Sequence, residues 1–239
     1  MSDKEKFDGY YIFGNCKSMK ELKNDTVDLI LSGVPTIYNK EMHKKYVNIF
    51  TECRRVLKPN APLVLIVCNL RKDNVFVDKR KIIGGILDNL NFKMRDLRVN
   101  RTFPHPPFTY INIFSFIVYS QDKIATKNKM EKNFYNYYWE KPLGKNHEEP
   151  INYYVPWIQH YTNEGDLVLD PFGGGGRVLL SALRLKRKCV TYEINMAWLE
   201  HLGFKHFKNV KIMRRKDTIN VEDGVQNMID SVLYDSDGK

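Results

Sequence analysis

The stretch that most constrains how this chain can fold is Asp166 to Asn195, DLVLDPFGGGGRVLLSALRLKRKCVTYEIN. Leu167 to Leu169 is a short apolar run, and Phe172 is followed by the glycines Gly173, Gly174, Gly175 and Gly176. Glycine has no Cβ, so such a run lets the backbone turn tightly and pass close to a ligand. Val178 to Leu185 has the spacing of a helix, with Arg184, Lys186, Arg187 and Lys188 at its end, where the helix dipole favours cations. Cys189 to Tyr192 reads as a second buried strand, closed by Glu193. An acid there, about 20 residues past a glycine turn, is placed to accept hydrogen bonds from ribose hydroxyls. The whole reads as a nucleotide-cofactor half-site, although a tight strand-to-helix turn also needs glycine with no ligand present.

Asp170, Pro171, Phe172, Gly174 and Gly176, taken with Glu193, resemble the S-adenosylmethionine site of the DNA amino-methyltransferases, which methylate N6 of adenine or N4 of cytosine. The dinucleotide fingerprint fits less well, because a phosphate-cradling loop carries separated glycines before a helix N-terminus. The resemblance implies that Asp170 and the loop from Phe172 to Gly176 hold the methionine end of S-adenosylmethionine, and that Glu193 holds its ribose. It implies an α/β fold of the Rossmann-like class I methyltransferase type, a mostly parallel twisted sheet with helices on both faces. The order is permuted, so that the catalytic strand precedes the cofactor strand. The resemblance runs from Tyr10 to Phe207.

Upstream, Tyr10 to Phe13 is apolar, Gly14-Asn15-Cys16 reads as a turn, Ser18 to Asn24 as a helix-like polar segment, and Val27 to Leu31 as a strand. In the family an Asp in this turn helps hold the adenine of the cofactor. Asn15 stands in its place, and an amide can still hydrogen-bond an adenine edge.

The next strand of the family ends in Asp, Asn or Ser, then Pro-Pro, then an aromatic residue. A side-chain oxygen and a prolyl carbonyl accept hydrogen bonds from the target amine, and the ring stacks on the flipped base. Here the string is Ser32-Gly33-Val34-Pro35-Thr36-Ile37-Tyr38. One reading keeps the chemistry: Ser32, or a backbone carbonyl at Gly33 or Val34, accepts from the amine, Pro35 stiffens the loop, and Tyr38 supplies the ring. The other takes the loop as silent, in a catalytically inactive subunit that binds nucleic acid or an active partner.

Glu41 to Leu57 reads as an amphipathic helix ended by Lys58-Pro59-Asn60, and Leu63 to Val67 as a buried strand, again in the family's order. Asp78 to Leu90 reads as a helix packed on the sheet, with Arg71, Lys72, Lys79, Arg80 and Lys81 on a solvated face or facing phosphate. Two strand-like runs follow, Met94 to Val99 and Ile111 to Tyr119. The Pro106-Pro107-Phe108 string between them mimics the missing tetrapeptide but follows no buried strand. Asn152 to Tyr161 reads as a helix with Trp157 and Ile158 in the core, Asn195 to Phe204 as a terminal helix, and Lys211 to Arg215 as a last basic strand. Glu149-Pro150 occupies the place of a Lys-Pro pair that touches the methionine part of the cofactor in the family.

Gln121 to Asn146 interleaves lysines with rings. Lys127, Lys129, Lys132, Tyr135 and Tyr137 are the candidate nucleic-acid contacts, because cations for phosphates beside rings for bases suit single-stranded or flipped nucleic acid. An aromatic edge packed on the sheet is the alternative. In the family the element that reads DNA sequence lies here and is longer. The short version implies weak sequence specificity, a structured RNA substrate, or a partner subunit that does the reading.

With 239 residues, 43% of them hydrophobic, the chain can bury a full core as one domain, residues 1–216. Its formal charge of +10 is uneven. Residues 217–239 form an acidic tail with six acids and one base, leaving 37 bases against 22 acids before it. A body this basic favours a polyanion such as nucleic acid, with DNA preferred over RNA by family analogy. A homodimer and a heteromeric partner both stay open. Cys16, Cys53, Cys68 and Cys189 lack CxxC spacing and read as reduced residues, so no metal site is expected. The longest apolar run, Ala61 to Cys68, is far short of a membrane span, and nothing at the N-terminus resembles a signal peptide. The expected location is the cytoplasm, at the nucleoid in a prokaryote, or the nucleus in a eukaryote.

Overall fold

Side chains on a strand point alternately to its two faces, so a strand covered by helices on both sides must be apolar throughout. The first strand, β1 (Gly9–Phe13), shows the rule: Tyr11 and Phe13 enter one core and Ile12 the other. The same division runs through β2 (Leu29–Gly33), β3 (Leu63–Cys68), β8 (Leu167–Asp170) and β9 (Lys188–Glu193). The core that takes Ile12 is closed by the helices α1 (Lys40–Val56) and α2 (Lys79–Asn89), and the one that takes Tyr11 and Phe13 by α3 (Val155–Tyr161) and α4 (Arg177–Arg184). The structure, a computed structural model, describes residues 7–35, 40–72, 75–102, 112–124, 154–201 and 209–215.

Among the described residues eight strands form one sheet in the order β10-β1-β9-β8-β2-β3-β7-β6, where β6 is Lys93–Thr102, β7 Asn112–Ser120 and β10 Val210–Arg214. The pairs from β10 to β3 are parallel, and β7 and β6 complete the sheet antiparallel. A separate hairpin pairs β4 (Leu70–Lys72) with β5 (Val75–Val77). This is the expected α/β architecture in the permuted order. Trp157 and Ile158 are buried, as their place in the sequence suggests. Among the described residues no helix is long and apolar enough to cross a membrane.

Three local expectations need correction. Ser18 to Asn24 is a series of turns rather than a helix. The Arg55 guanidinium donates to the carbonyls of Met19 and Leu22, and Glu52 accepts the Met19 N–H at 2.7 Å, so side chains of α1 satisfy this backbone instead. The helix expected from Asn195 is a 3₁₀ turn, Met196–His201. Lys79, read as part of a solvated or phosphate-facing run, is fully buried. Tyr38, the Pro106-Pro107-Phe108 string, the lysine and aromatic contacts between 127 and 137, Glu149-Pro150 and the tail 217–239 lie outside the described residues.

Candidate active site

From β8 the chain proceeds to β9 on one side of the sheet, and from β2 to β3 on the other. Such a reversal opens a crevice at the carboxyl ends of the two strands. Register places Ile30 beside Leu169, so Ser32 at the end of β2 comes up against Asp170 at the end of β8. The Ser32 hydroxyl donates to Asp170 Oδ1 at 2.5 Å, and the Phe172 N–H reaches both Ser32 Oγ and Asp170 Oδ1 at 3.2 Å. Burial lifts the Asp170 carboxyl to about 7; the hydrogen bonds from Ser32 and Phe172 pull it down, and the nearby Glu193 charge pushes it up.

The glycine loop is held at both faces of its backbone. Gly173 N–H donates to the Tyr192 carbonyl and Gly174 N–H to Glu193 Oε2, each at 2.8 Å. The Gly174 carbonyl accepts from the Tyr11 hydroxyl, whose own ionisation is pushed far up by burial and by the Glu193 and Asp170 charges. The glycines answer different needs. A Cβ at Gly173 would lie 2.1 Å from Thr191 Cγ2, so packing excludes one. Gly174 (φ +48°) and Gly176 (φ +73°) lie in the left-handed region that side chains disfavour.

The loop forms one wall of a cleft of ≈ 280 Å³. Gly33, Val34 and Pro35 form the facing wall, with Ile66 and Cys68 from β3, Tyr154 before α3, and Arg177 and Trp198 completing it. A Cβ built on Gly33 meets nothing within 4 Å, and one on Gly174 would come to 3.8 Å from the Trp198 ring. Of the residues singled out in the sequence, Asp170, Phe172, Gly173, Gly174, Gly175, Gly33, Val34 and Pro35 line this space. Ser32, fully buried, does not: its hydroxyl is spent on Asp170. Glu193 stands behind the loop and Gly176 caps α4. Asn15 is also outside the lining, with Oδ1 accepting from the Lys17 N–H at 2.9 Å and its carbonyl accepting from Arg215 at 2.7 Å.

Several participants carry no sequence signal. Tyr11 looks like one more apolar strand residue, and Trp198 like a helix core position, yet it is 41% exposed. The Phe172 ring meets Tyr46 and Phe50 of α1 edge-on, at 5.9 and 6.4 Å between centroids. All four cysteines are free, and among the described residues no group of three or more His, Cys, Asp or Glu could hold a metal.

A glycine loop pared of side chains and the carboxyl at the end of β8 line the cleft, while the carboxyl at the end of β9 accepts from the Gly174 and Asn195 N–H groups behind the loop. Together with the sheet order they define a Rossmann-like class I methyltransferase. The chain belongs to the N6/N4 methyltransferase family of DNA methylases, whose model matches residues 37–202. It is an S-adenosylmethionine-dependent enzyme. Asp170 and the loop from Phe172 to Gly175, expected from the resemblance to hold the methionine end, line the cleft.

Among curated proteins the chain is 22% identical over 218 residues to the type II methyltransferase M.HpaI of Haemophilus parainfluenzae, covering 77% of this chain and 69% of that one. A Thermus thermophilus structure assigned as a DNA modification methylase has a TM-score of 0.69 at 16% identity, covering 87% of this chain and all of that one. The same protein has also been solved with S-adenosylmethionine. PvuII DNA methyltransferase, cytosine-N4-specific, has a TM-score of 0.64 at 14% identity, covering 96% of each chain.

Proposed function

We propose that this enzyme methylates the exocyclic amine of a base in DNA, N4 of cytosine or N6 of adenine, and that the acceptor for the amine is a backbone carbonyl rather than Ser32. The observation that carries the reading is the aim of the Gly33 carbonyl. The Val34 N–H donates to the Ile66 carbonyl at 2.9 Å, toward β3. Because the peptide is planar and trans, the Gly33 carbonyl is turned the opposite way, to the β8 side of β2, and Gly33 lines the cleft. What S-adenosylmethionine supplies when bound is a methyl group on a positively charged sulfur; the base nitrogen takes it with its lone pair, the C–S electrons stay with sulfur, and the nitrogen gives up one proton to solvent. The chain's part is to fix the amine. A carbonyl set in advance by the sheet takes an N–H and leaves the lone pair directed across the cleft, which is catalysis by preorganisation. Ser32 serves the other partner by holding Asp170, and Tyr38 remains the candidate for stacking on the base.

The specific observation favouring a silent subunit is the bare Gly33, which offers no side-chain acceptor. One experiment separates the two: transfer of labelled methyl from S-adenosylmethionine to double-stranded DNA, single-stranded DNA and RNA, with mass spectrometry of the nucleosides. A labelled N4-methylcytosine or N6-methyladenine nucleoside from DNA supports the enzyme and names the base. Cofactor bound by calorimetry, with no label in any substrate, rejects it in favour of the silent subunit. Ser32→Ala is expected to weaken cofactor binding; weaker turnover with unchanged cofactor affinity would return Ser32 to the acceptor role.

A further inference from the structure

Lys79 is the first residue of α2, and its side chain is fully buried. Two features make a lysine costly here. A cation at a helix N-terminus opposes the dipole, and a buried ammonium without a counter-ion loses hydration that nothing replaces. Among the described residues no carboxylate forms an ion pair with it, and burial holds its pKa below the ordinary lysine value, with only Cys68 opposing. The N-terminus of α2 does not need this side chain, since Asp78 caps it by accepting from the N–H groups of Arg80 and Lys81. The Lys79 ammonium instead donates to the Pro35 carbonyl, which lies on the cleft wall. The same carbonyl accepts from the Tyr46 hydroxyl of α1 at 3.1 Å. Tyr46 is fully buried, and its ring meets Phe172 of the glycine loop edge-on.

From this geometry we infer that Lys79 is a positioning residue: with Tyr46 it clamps the Pro35 carbonyl and so fixes the Gly33–Val34–Pro35 wall against the cofactor loop. Only one of the three wall residues has a backbone made stiff by a ring, and Gly33 is the freest residue a chain can have. The sheet holds Val34 through its N–H, and two donors from two different helices hold the far end. The clamp also joins the two halves of the site, because Tyr46 touches the wall with its hydroxyl and the cofactor loop with its ring. A change in either reaches the other through one rigid side chain.

This inference rests on the proposed methyl transfer, and the test keeps the two apart. Lys79→Met and Tyr46→Phe are compared with the unaltered protein by three measurements: single-turnover methylation, calorimetric cofactor affinity, and amide hydrogen exchange of the peptide spanning residues 33–38. For Lys79→Met the clamp predicts faster exchange in that peptide, a fall in single-turnover rate of about 100-fold as expected for a misplaced acceptor, and a cofactor affinity changed by no more than about twofold. The melting temperature is expected to hold or rise, because a buried thioether replaces an uncompensated charge. Tyr46→Phe is expected to give the same pattern more weakly, and it carries the test if Lys79→Met does not fold. Unchanged exchange at 33–38 in the folded variants overturns the clamp whether or not the protein methylates DNA. Faster exchange in a protein whose unaltered form transfers no methyl keeps the clamp and refutes the catalytic reading.

Discussion

Asp170→Asn should stabilise the cofactor-free protein above neutral pH while removing its cofactor affinity. The Asp170 carboxyl is 2% exposed and titrates at about 7, against an ordinary 3.8. A carboxyl whose folded pKa is raised binds its proton more tightly in the folded state. Its contribution is therefore full below the unfolded value, and stability declines as pH rises from about 4 to about 7. Each pH unit across that interval is worth about 1.4 kcal/mol, so complete ionisation costs the fold ~4 kcal/mol. Asparagine has the same shape, can accept from Ser32 and Phe172 through its oxygen, and carries no charge to desolvate. The assay is urea unfolding of both proteins at intervals from pH 4.5 to 8.5 without cofactor. The difference between them should grow by several kcal/mol toward pH 8 and then level off. Saturating S-adenosylmethionine should raise the unaltered protein's curve and leave that of Asp170→Asn where it was. Parallel pH curves would refute the reasoning, because they would mean that Asp170 ionises as freely in the fold as in the unfolded chain.

Other perturbations follow from the same geometry. Gly173→Ala pushes a methyl to 2.1 Å from Thr191 Cγ2; overpacking of this kind costs about 1–3 kcal/mol, and both thermal stability and calorimetric cofactor affinity should fall. Gly33→Asn adds an acceptor where a Cβ meets nothing within 4 Å, so turnover in the labelled-methyl assay should rise or hold, and a collapse would mean that the base needs this space empty. Arg215→Ala removes the ion pair to Glu21, a bond to the Asn15 carbonyl and the guanidinium stacked 5.0 Å over Tyr192, with an expected loss of about 2–3 kcal/mol in urea unfolding. Alanine at Lys127, Lys129 and Lys132 together should weaken DNA binding in a fluorescence titration and lower the salt slope by about 0.9 for every phosphate left unneutralised. An unchanged slope would assign those lysines to the surface alone.

The parallel sheet was legible because its strands are apolar on both faces, and the glycine turn because four consecutive glycines have few other uses. The glycine-loop side of the cleft was legible too, because Asp170 and the loop after it lie close together in the chain. What the sequence concealed is held by contacts between distant residues. Ser32 sits next to Asp170 only because β2 and β8 are neighbours, so a hydroxyl that looks like a substrate acceptor is turned to the Asp170 carboxyl. Tyr11 is 163 residues from the glycine whose carbonyl it binds, and its alternation in β1 says only that it is inside. Lys79 was misleading in the opposite sense. In a run of basic residues the ordinary expectation is solvent, and only the fold shows that one of them turns inward to Pro35. The polar segment after β1 has a helix-like composition, but Arg55 and Glu52 supply the backbone partners that a helix would have made for itself.

The place of β1 has a consequence for how the molecule is made. This strand leaves the ribosome long before its two neighbours in the sheet, Lys188–Glu193 and Val210–Arg214. At about 5–20 residues per second, β1 waits for on the order of ten to forty seconds with both edges unpaired. Contacts this remote in sequence close slowly, because loop entropy is lost before any contact rewards it. Tyr11, which secures the glycine loop, is on the waiting strand. The cleft beside the glycine loop therefore takes its final shape only after β9 and β10 have been made and β1 has paired with them.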